Sequence, residues 1–171
     1  LVKAMANMIR EAGGMQSDTA AEIKSSHLYG IEFDREIYAL ACANMLIHKD
    51  GKTNLEQMDA RTESACEWMK SKPITKVLMN PPYENKYGCM TIVENVLDNV
   101  PAHTQCAFIL PDKKLEKASK AQIKRILKNH RLRKVIKLPE DLFFGVGITT
   151  SIFVFEAGVG QDGKEFFACY M

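Results

Sequence analysis

The sequence VLMNPPY, at residues 77–83, joins a short apolar strand to a polar, rigid and aromatic end. In open α/β sheets, ligands bind outside the carboxyl ends of the strands, where Asn80 would lie. Pro81 and Pro82 fix their own φ near −65° and favour extended geometry in the residues before them. This stretch therefore predicts a stiff loop that presents the Asn80 side chain at a ligand-binding edge. The alternative is a plain turn after a strand.

The Asn80 loop has the acceptors needed to bind an amino group on a planar ring. The side-chain carbonyl of Asn80 and the main-chain carbonyl of Pro81 can lie side by side and accept both N–H groups of one –NH₂. Such bonding draws the nitrogen toward tetrahedral geometry, so that its lone pair can attack an electrophilic methyl group held in line. Tyr83 offers a π-face on which an extruded base can stack, worth about 1–3 kcal/mol.

Outward from this loop, apolar periodicity predicts strands that alternate with helices over the first 140 residues. Strands are predicted at 27–33, 53–58, 74–79, 104–110, 135–138 and 148–155, and helices at 1–12, 62–71, 90–99, 115–129 and after an Asp34 cap. The helix after Asp34 is expected to turn Ile37, Leu40, Ala41 and Met45 inward, with Ala39 or Leu46 at its margins. The pattern predicts one α/β domain with a largely parallel sheet and an antiparallel hairpin at one edge. The tail, 161–171, can add one more strand.

Charge and cysteine usage narrow the class of protein further. Residues 113–137 hold eleven Lys or Arg against one acid, although the whole chain of 171 residues carries a net charge of only +2. The five cysteines and four histidines are dispersed without zinc-ligand spacing, so we expect reduced thiols, a cytoplasmic location and no metal. The apolar runs are far shorter than the ~18 residues needed to span a membrane.

Taken together, these motifs resemble the N6-adenine DNA methyltransferases, and within them the modification subunits of type I restriction-modification systems. The catalytic motif of that family is similar to Asn80–Tyr83. Further similar segments follow in the family's order along nearly the whole chain: 30–32, 39–41, 44–46, 107–111, 138–144 and 149–156. The resemblance implies a Rossmann-like fold and a catalytic set of Asn80, Pro81, Pro82 and Tyr83.

The resemblance also implies a site for S-adenosylmethionine. Glu32 would accept hydrogen bonds from the ribose hydroxyls, Phe33 would pack on the adenine, and Asp59 would accept from its amino group. The family usually has Gly-Asp where this chain has Met58-Asp59. The alternatives are a helix-entry acid for Glu32 and a surface-loop acid for Asp59.

Two further groups of residues are expected to contact DNA. By resemblance, Phe144 lies in the loop that flanks the flipped base, although Phe143 could fill that role and an aromatic pair before a strand is often core. Lys113 and Lys114 begin the basic segment and suit phosphate contact. The alternative for the basic segment is the solvated face of a helix.

The start of the chain departs from the family. Leu1–Met5 resembles the helix that follows the glycine-rich turn at which the family holds the methionine moiety of the cofactor. We therefore expect the first strand and its glycines to be missing, so that residues 1–171 form a partial catalytic domain that is inactive alone.

The resemblance implies double-stranded DNA as substrate and specificity and restriction subunits as partners, while a self-contained type II enzyme stays open. Two other hypotheses remain. One is a methyltransferase acting on an RNA amino group or a protein glutamine, since those families also use Asn-Pro-Pro-Tyr. The other is a scaffold fragment without catalysis.

Overall fold

The computed structural model describes residues 2–48, 54–84, 88–140 and 148–171. The chain divides into two compact units, unit 1 (Leu1–Thr62) and unit 2 (Glu63–Met171).

Unit 1 contains three helices and a small parallel sheet among its described residues. Its elements are α1 (Val2–Glu11), α2 (Asp18–Ser26), β1 (Gly30–Glu32), α3 (Arg35–Ile47) and β2 (Leu55–Gln57). The two strands pair in parallel, with Gly30 opposite Leu55 and Glu32 opposite Gln57. The sequence did not predict α2, and the predicted strands at 27–33 and 53–58 are both shorter in the structure. Residue 53 lies outside the described residues.

The core of unit 1 forms where α1 packs against α2. Its buried side chains are Met5, Ile9, Ala20, Ile23, Leu28 and Met45. Their removal from water stabilises the unit in proportion to the apolar area buried.

Helix α3 begins as predicted but packs differently. The Asp34 side chain accepts from Glu36 N at 2.9 Å and from Ile37 N at 3.0 Å, which confirms the cap. The predicted inward stripe is confirmed at Met45, which is buried, and wrong at Ile37 and Leu40, which are 51% and 65% exposed. Ala41 is half-buried. Leu46, expected at the margin, is also exposed. Two strands of three residues offer too little apolar surface to cover several faces of a 13-residue helix.

Unit 2 is built on a five-stranded sheet in the order β3-β4-β6-β5-β7. Its strands are β3 (Lys76–Met79), β4 (Gln105–Pro111), β5 (Arg131–Lys137), β6 (Thr150–Glu156) and β7 (Phe167–Tyr170). Its helices are α4 (Glu63–Lys70), α5 (Cys89–Asn99), α6 (Lys114–Lys117) and α7 (Lys120–Asn129). The pair β3/β4 and the pair β5/β7 are parallel, whereas β6 runs antiparallel to both β4 and β5.

The core of unit 2 combines alternating strand residues with one face of α5. Cys106, Phe108 and Leu110 of β4 are fully buried, as β alternation requires. Phe108 meets Phe155 of β6 edge to face, with ring centroids 6.2 Å apart. Such aromatic pairs add about 0.5–1.5 kcal/mol beyond their buried area.

The hairpin of β5 and β6 is antiparallel as predicted, but its expected position at the sheet edge is wrong. Strand β6 lies between β4 and β5, and β7 from the tail forms the edge beside β5. The sequence of β6, TSIFVFE, is β-branched and aromatic, and most of it is buried or half-buried, which suits an interior strand.

The predicted helix at 115–129 is interrupted in the structure. Helix α6 ends at Lys117, and Ser119 begins α7 by accepting a hydrogen bond from Gln122 N at 3.2 Å. Serine is a preferred N-cap residue because its side chain satisfies a helix-start N–H. Ile126 is buried as expected, whereas Leu115, Ile123 and Leu127 are half-buried.

Candidate active site

The Asn80–Tyr83 loop follows the carboxyl end of β3, as predicted. Asn80 and Pro82 are exposed, Pro81 is buried and Tyr83 is half-buried. Burial of Pro81 anchors the loop, and the amide of Asn80 stays open to solvent. This arrangement can present two carbonyl acceptors to an incoming amino group.

Tyr83 interacts with residues of two other elements of unit 2. Its main-chain carbonyl accepts a hydrogen bond from Lys114 Nζ of α6. Burial raises the pKa of its hydroxyl, and the Cys89 thiol at the start of α5 raises it further. The raised pKa keeps the Tyr83 hydroxyl protonated at physiological pH, and its oxygen atom is buried.

A cavity of about 180 Å³ lies at the start of α5. Its lining includes Lys114 and Cys89, the same two residues that interact with Tyr83. The full lining is Gly88, Cys89, Met90, Thr91, Lys114, Ala118 and Gln122. Burial raises the pKa of the Cys89 thiol, although the nearby charge of Lys114 acts in the opposite direction.

Asp112 forms a polar cluster that the sequence analysis did not identify. It follows β4, and its carboxylate accepts from Ser151 Oγ at 2.8 Å and pairs with Lys137 at the end of β5. Strands β3, β4 and β5 run in the same direction, so Asn80, Asp112 and Lys137 share the carboxyl edge of the sheet. The signal in the sequence was an acid directly after a predicted strand and Pro111.

The candidate cofactor residues lie in unit 1. Glu32 ends β1, and its Oε1 accepts from Asp34 N at 2.9 Å. A carboxylate offers about four acceptor positions, so this bond leaves capacity for hydroxyl donors. Phe33 is 63% exposed and presents a free aromatic face.

Asp59 lies just after β2, at the same edge of the parallel sheet as Glu32. Its carboxylate accepts from Arg61 Nε at 2.8 and 3.0 Å and from Arg61 N at 2.9 Å. The Arg61 guanidinium holds the pKa of Asp59 below its ordinary value against the opposing effect of burial. Asp59 is therefore an ionised acceptor already oriented by a neighbour.

The structure places the candidate DNA-contacting residues in different environments. Lys113 is exposed, whereas Lys114 is half-buried and bonded to Tyr83. Phe143 and Phe144 lie outside the described residues.

The basic segment 113–137 spans α6, α7 and β5 rather than one helix face. Several of its cations pair within unit 2. These pairs are Arg125 with Glu94, Arg133 with Glu156 and Lys137 with Asp112. The charge available to an outside phosphate is therefore smaller than the sequence suggested.

All five cysteines are free thiols, as predicted. Among residues 2–48, 54–84, 88–140 and 148–171, no three His, Cys, Asp or Glu side chains gather in a way that could hold a metal ion. No described helix is long and apolar enough to cross a membrane.

The fold described above is that of the S-adenosylmethionine-dependent methyltransferases. The structure superposes on the type I restriction enzyme EcoKI M protein with a TM-score of 0.73 at 17% identity, over 92% of this chain and 37% of that one. It also superposes on a Listeria monocytogenes protein described as a class I S-adenosylmethionine-dependent methyltransferase. That TM-score is 0.67 at 21% identity, over 84% of this chain and 49% of that one.

The sequence identifies the family within that class. The pattern of the N-6 DNA Methylase family matches residues 3–105 and 93–168, and the chain belongs to this family. It is also 32% identical over 169 residues to the type II restriction enzyme and methyltransferase RM.BcgI of Heyndrickxia coagulans. That match covers 93% of this chain and 26% of the relative, so the chain spans about a quarter of that protein's length.

Proposed function

We propose that this chain is the catalytic part of an adenine-N6 DNA methyltransferase of a restriction-modification system. The observation that carries the proposal is the Asn80–Tyr83 loop at the carboxyl end of β3, with Pro81 buried and Asn80 exposed. A turn with no function beyond ending a strand would not need a solvent-exposed amide braced by a buried proline.

In the proposed reaction, Asn80 and Pro81 accept hydrogen bonds from the two N–H groups of a flipped adenine. These bonds localise the nitrogen lone pair, and preorganised acceptors lower the barrier without rearranging during the reaction. With a methyl donor bound, the new N–C bond would form as the donor's C–S bond breaks, and the amino nitrogen would release one proton to solvent. Tyr83 supports the adenine ring by stacking, because removing a base from the duplex must be offset by contacts elsewhere.

S-adenosylmethionine supplies the methyl group when bound. The residues of unit 1 fit this group, because Glu32 and Asp59 offer carboxylate acceptors at one sheet edge and Phe33 offers an exposed aromatic face. Glu32 would hold the ribose hydroxyls, Phe33 the adenine and Asp59 its amino group.

The proposed substrate is double-stranded DNA, and the proposed location is the cytoplasm, where that DNA lies. Specificity and restriction subunits are proposed partners, since the EcoKI M protein is part of a type I restriction enzyme. The match to RM.BcgI, a type II restriction enzyme and methyltransferase, supports a larger single polypeptide as the second possibility.

The test uses the full-length protein with its partner subunits, labelled S-adenosylmethionine and double-stranded DNA. We expect N6-methyladenine as the product, and we expect Asn80→Ala to lower turnover by about 10²–10³-fold or more with cofactor affinity unchanged. Glu32→Gln should instead weaken cofactor binding about 10-fold or more, because it removes a charged acceptor. Turnover with saturating cofactor should stay close to that of the wild type.

Asn129→Ala is the matched control, since Asn129 is an exposed asparagine at the end of α7. It should leave turnover and cofactor affinity unchanged. Full turnover by Asn80→Ala would overturn the catalytic role. Label recovered in RNA or protein instead of DNA would replace the proposed acceptor.

A further inference from the structure

Lys114 makes a contact that separates it from the rest of the basic segment. Its ammonium group donates to the main-chain carbonyl of Tyr83, although the two residues are 31 positions apart in the chain. Lys114 belongs to α6, which follows β4, and Tyr83 belongs to the loop after the neighbouring parallel strand β3. The contact therefore joins two adjacent connections at the carboxyl edge of the sheet.

The contact lies where the covalent stiffness of the loop ends. Pro81 and Pro82 fix φ at their own positions, but Tyr83 has no such restraint. A charged donor on its carbonyl restrains the chain at this position in a different way, because hydrogen bonds to ionised groups are shorter and stronger than neutral ones. Lys114 is half-buried beside the buried Cys89, so its charge is only partly screened by water.

We propose that Lys114 is a positioning residue that locks the Asn80–Tyr83 loop through the Tyr83 carbonyl, rather than a ligand of DNA phosphate. The inference rests on the proposed function and assigns this lysine to the geometry of that site. Lys114 acts through Tyr83 and does not touch the reacting atoms.

The two roles for Lys114 differ in what they change. A lost phosphate contact weakens DNA binding and reduces the salt dependence of that binding by about one charge. A lost positioning contact lowers kcat and leaves the KM for DNA and the salt dependence in place, because misplacement of a reacting group by about 1 Å can cost about 100-fold.

The first arm compares Lys114→Met, Lys114→Arg and Lys70→Met in the full-length protein with its partner subunits. Lys70 is an exposed lysine of α4 and serves as the charge-matched control. We expect Lys114→Met to lower kcat about 10- to 100-fold with the KM for DNA and its salt dependence unchanged. Lys114→Arg should restore part of the loss, and Lys70→Met should match the wild type.

The second arm needs no catalytic activity. Chymotrypsin cleaves after tyrosine, and the carbonyl attacked at Tyr83 is the one that Lys114 holds. Lys114→Met should be cleaved at the 83–84 bond faster than both the wild type and Lys70→Met, as identified by mass spectrometry of the first products. Melting temperature is recorded for each variant, so that general unfolding is recognised by cleavage at many sites.

The proposal is overturned if Lys114→Met and Lys70→Met are cleaved at 83–84 at the same rate. It is also overturned if Lys114→Met raises the KM for DNA and reduces the salt dependence at constant kcat. A wild-type protein that forms no N6-methyladenine would defeat the proposed function alone, because the cleavage arm still decides whether Lys114 holds the loop.

Discussion

The candidate cofactor residues of unit 1 and the candidate catalytic loop of unit 2 are held in different ways. Glu32 bonds to Asp34, and Asp59 bonds to Arg61, in each case two positions along the chain. Tyr83 instead bonds to a residue 31 positions away. The acids are thus oriented by local turns, whereas the loop is oriented by tertiary structure.

The packing of the two units differs in the same way, with fewer buried side chains among the described residues of unit 1 than among those of unit 2. The strands of unit 1 have three residues each, and much of the apolar surface of α3 is exposed. Three strands of unit 2 have seven residues, and in two of them, β4 and β6, alternate side chains are buried. The comparison teaches that the loop of unit 2 depends on contacts between distant segments, whereas the acids of unit 1 depend on short-range contacts.

The largest expected effect concerns stability. Phe108→Ala removes a fully buried ring that contacts Phe155 and should lower the free energy of unfolding by about 3–5 kcal/mol. Leu40→Ala, on the exposed face of α3, should change it by about 0.5 kcal/mol or less. Denaturant unfolding of both variants measures the difference, and equal losses would show that the α3 face is covered.

An intermediate effect is expected at Tyr83, where two substitutions separate the contribution of the aromatic ring from that of the hydroxyl. Tyr83→Ala removes the stacking face, worth about 1–3 kcal/mol, and should lower kcat/KM for DNA roughly 5- to 150-fold. Tyr83→Phe keeps the ring and should lose much less. Steady-state kinetics on the full-length protein separate them, and equal defects would assign the role to the buried hydroxyl.

The smallest effect is expected from the pair of Asp59 and Arg61. Because the pKa of Asp59 is lowered in the folded protein, the pair stabilises the fold above the ordinary carboxyl pKa, and that stability is lost as the pH falls through the lowered value. Arg61→Ala should therefore be slightly less stable than the wild type at pH 7, and the two should converge in acid. Unfolding curves of both proteins across this pH range measure the difference in their free energies of unfolding. A difference that grows in acid would contradict the prediction.

The sequence predicted those features that depend on neighbours along the chain. The apolar run before Asn80, the two prolines and the Asp34 cap are all local signals. The cap and the loop appear at the predicted place, and the strand ends as predicted at Met79 but begins at Lys76. The insertion of β6 between β4 and β5 was missed because strand order depends on contacts between distant segments. The contacts made by Lys114 and Asp112 were missed for the same reason.

Some errors in the sequence-based predictions of helices had local causes. Helix α3 is apolar on more than one face, so its periodicity did not determine which side would be buried. Ser119 was read as part of a continuous basic helix, although serine is a common residue at helix starts. The predictions for Phe143 and Phe144 fall outside the described residues and stay predictions.

The position of β6 has a consequence for how the protein emerges from the ribosome. Strands β4 and β5 are synthesised first, yet each pairs with a strand that is made later. At about 5–20 residues per second, the edge of β4 on the side of β6 waits for seconds without its partner. Unpaired apolar edges of this kind invite association between nascent chains, so this sheet has most need of chaperone protection just before Thr150–Glu156 leaves the exit tunnel.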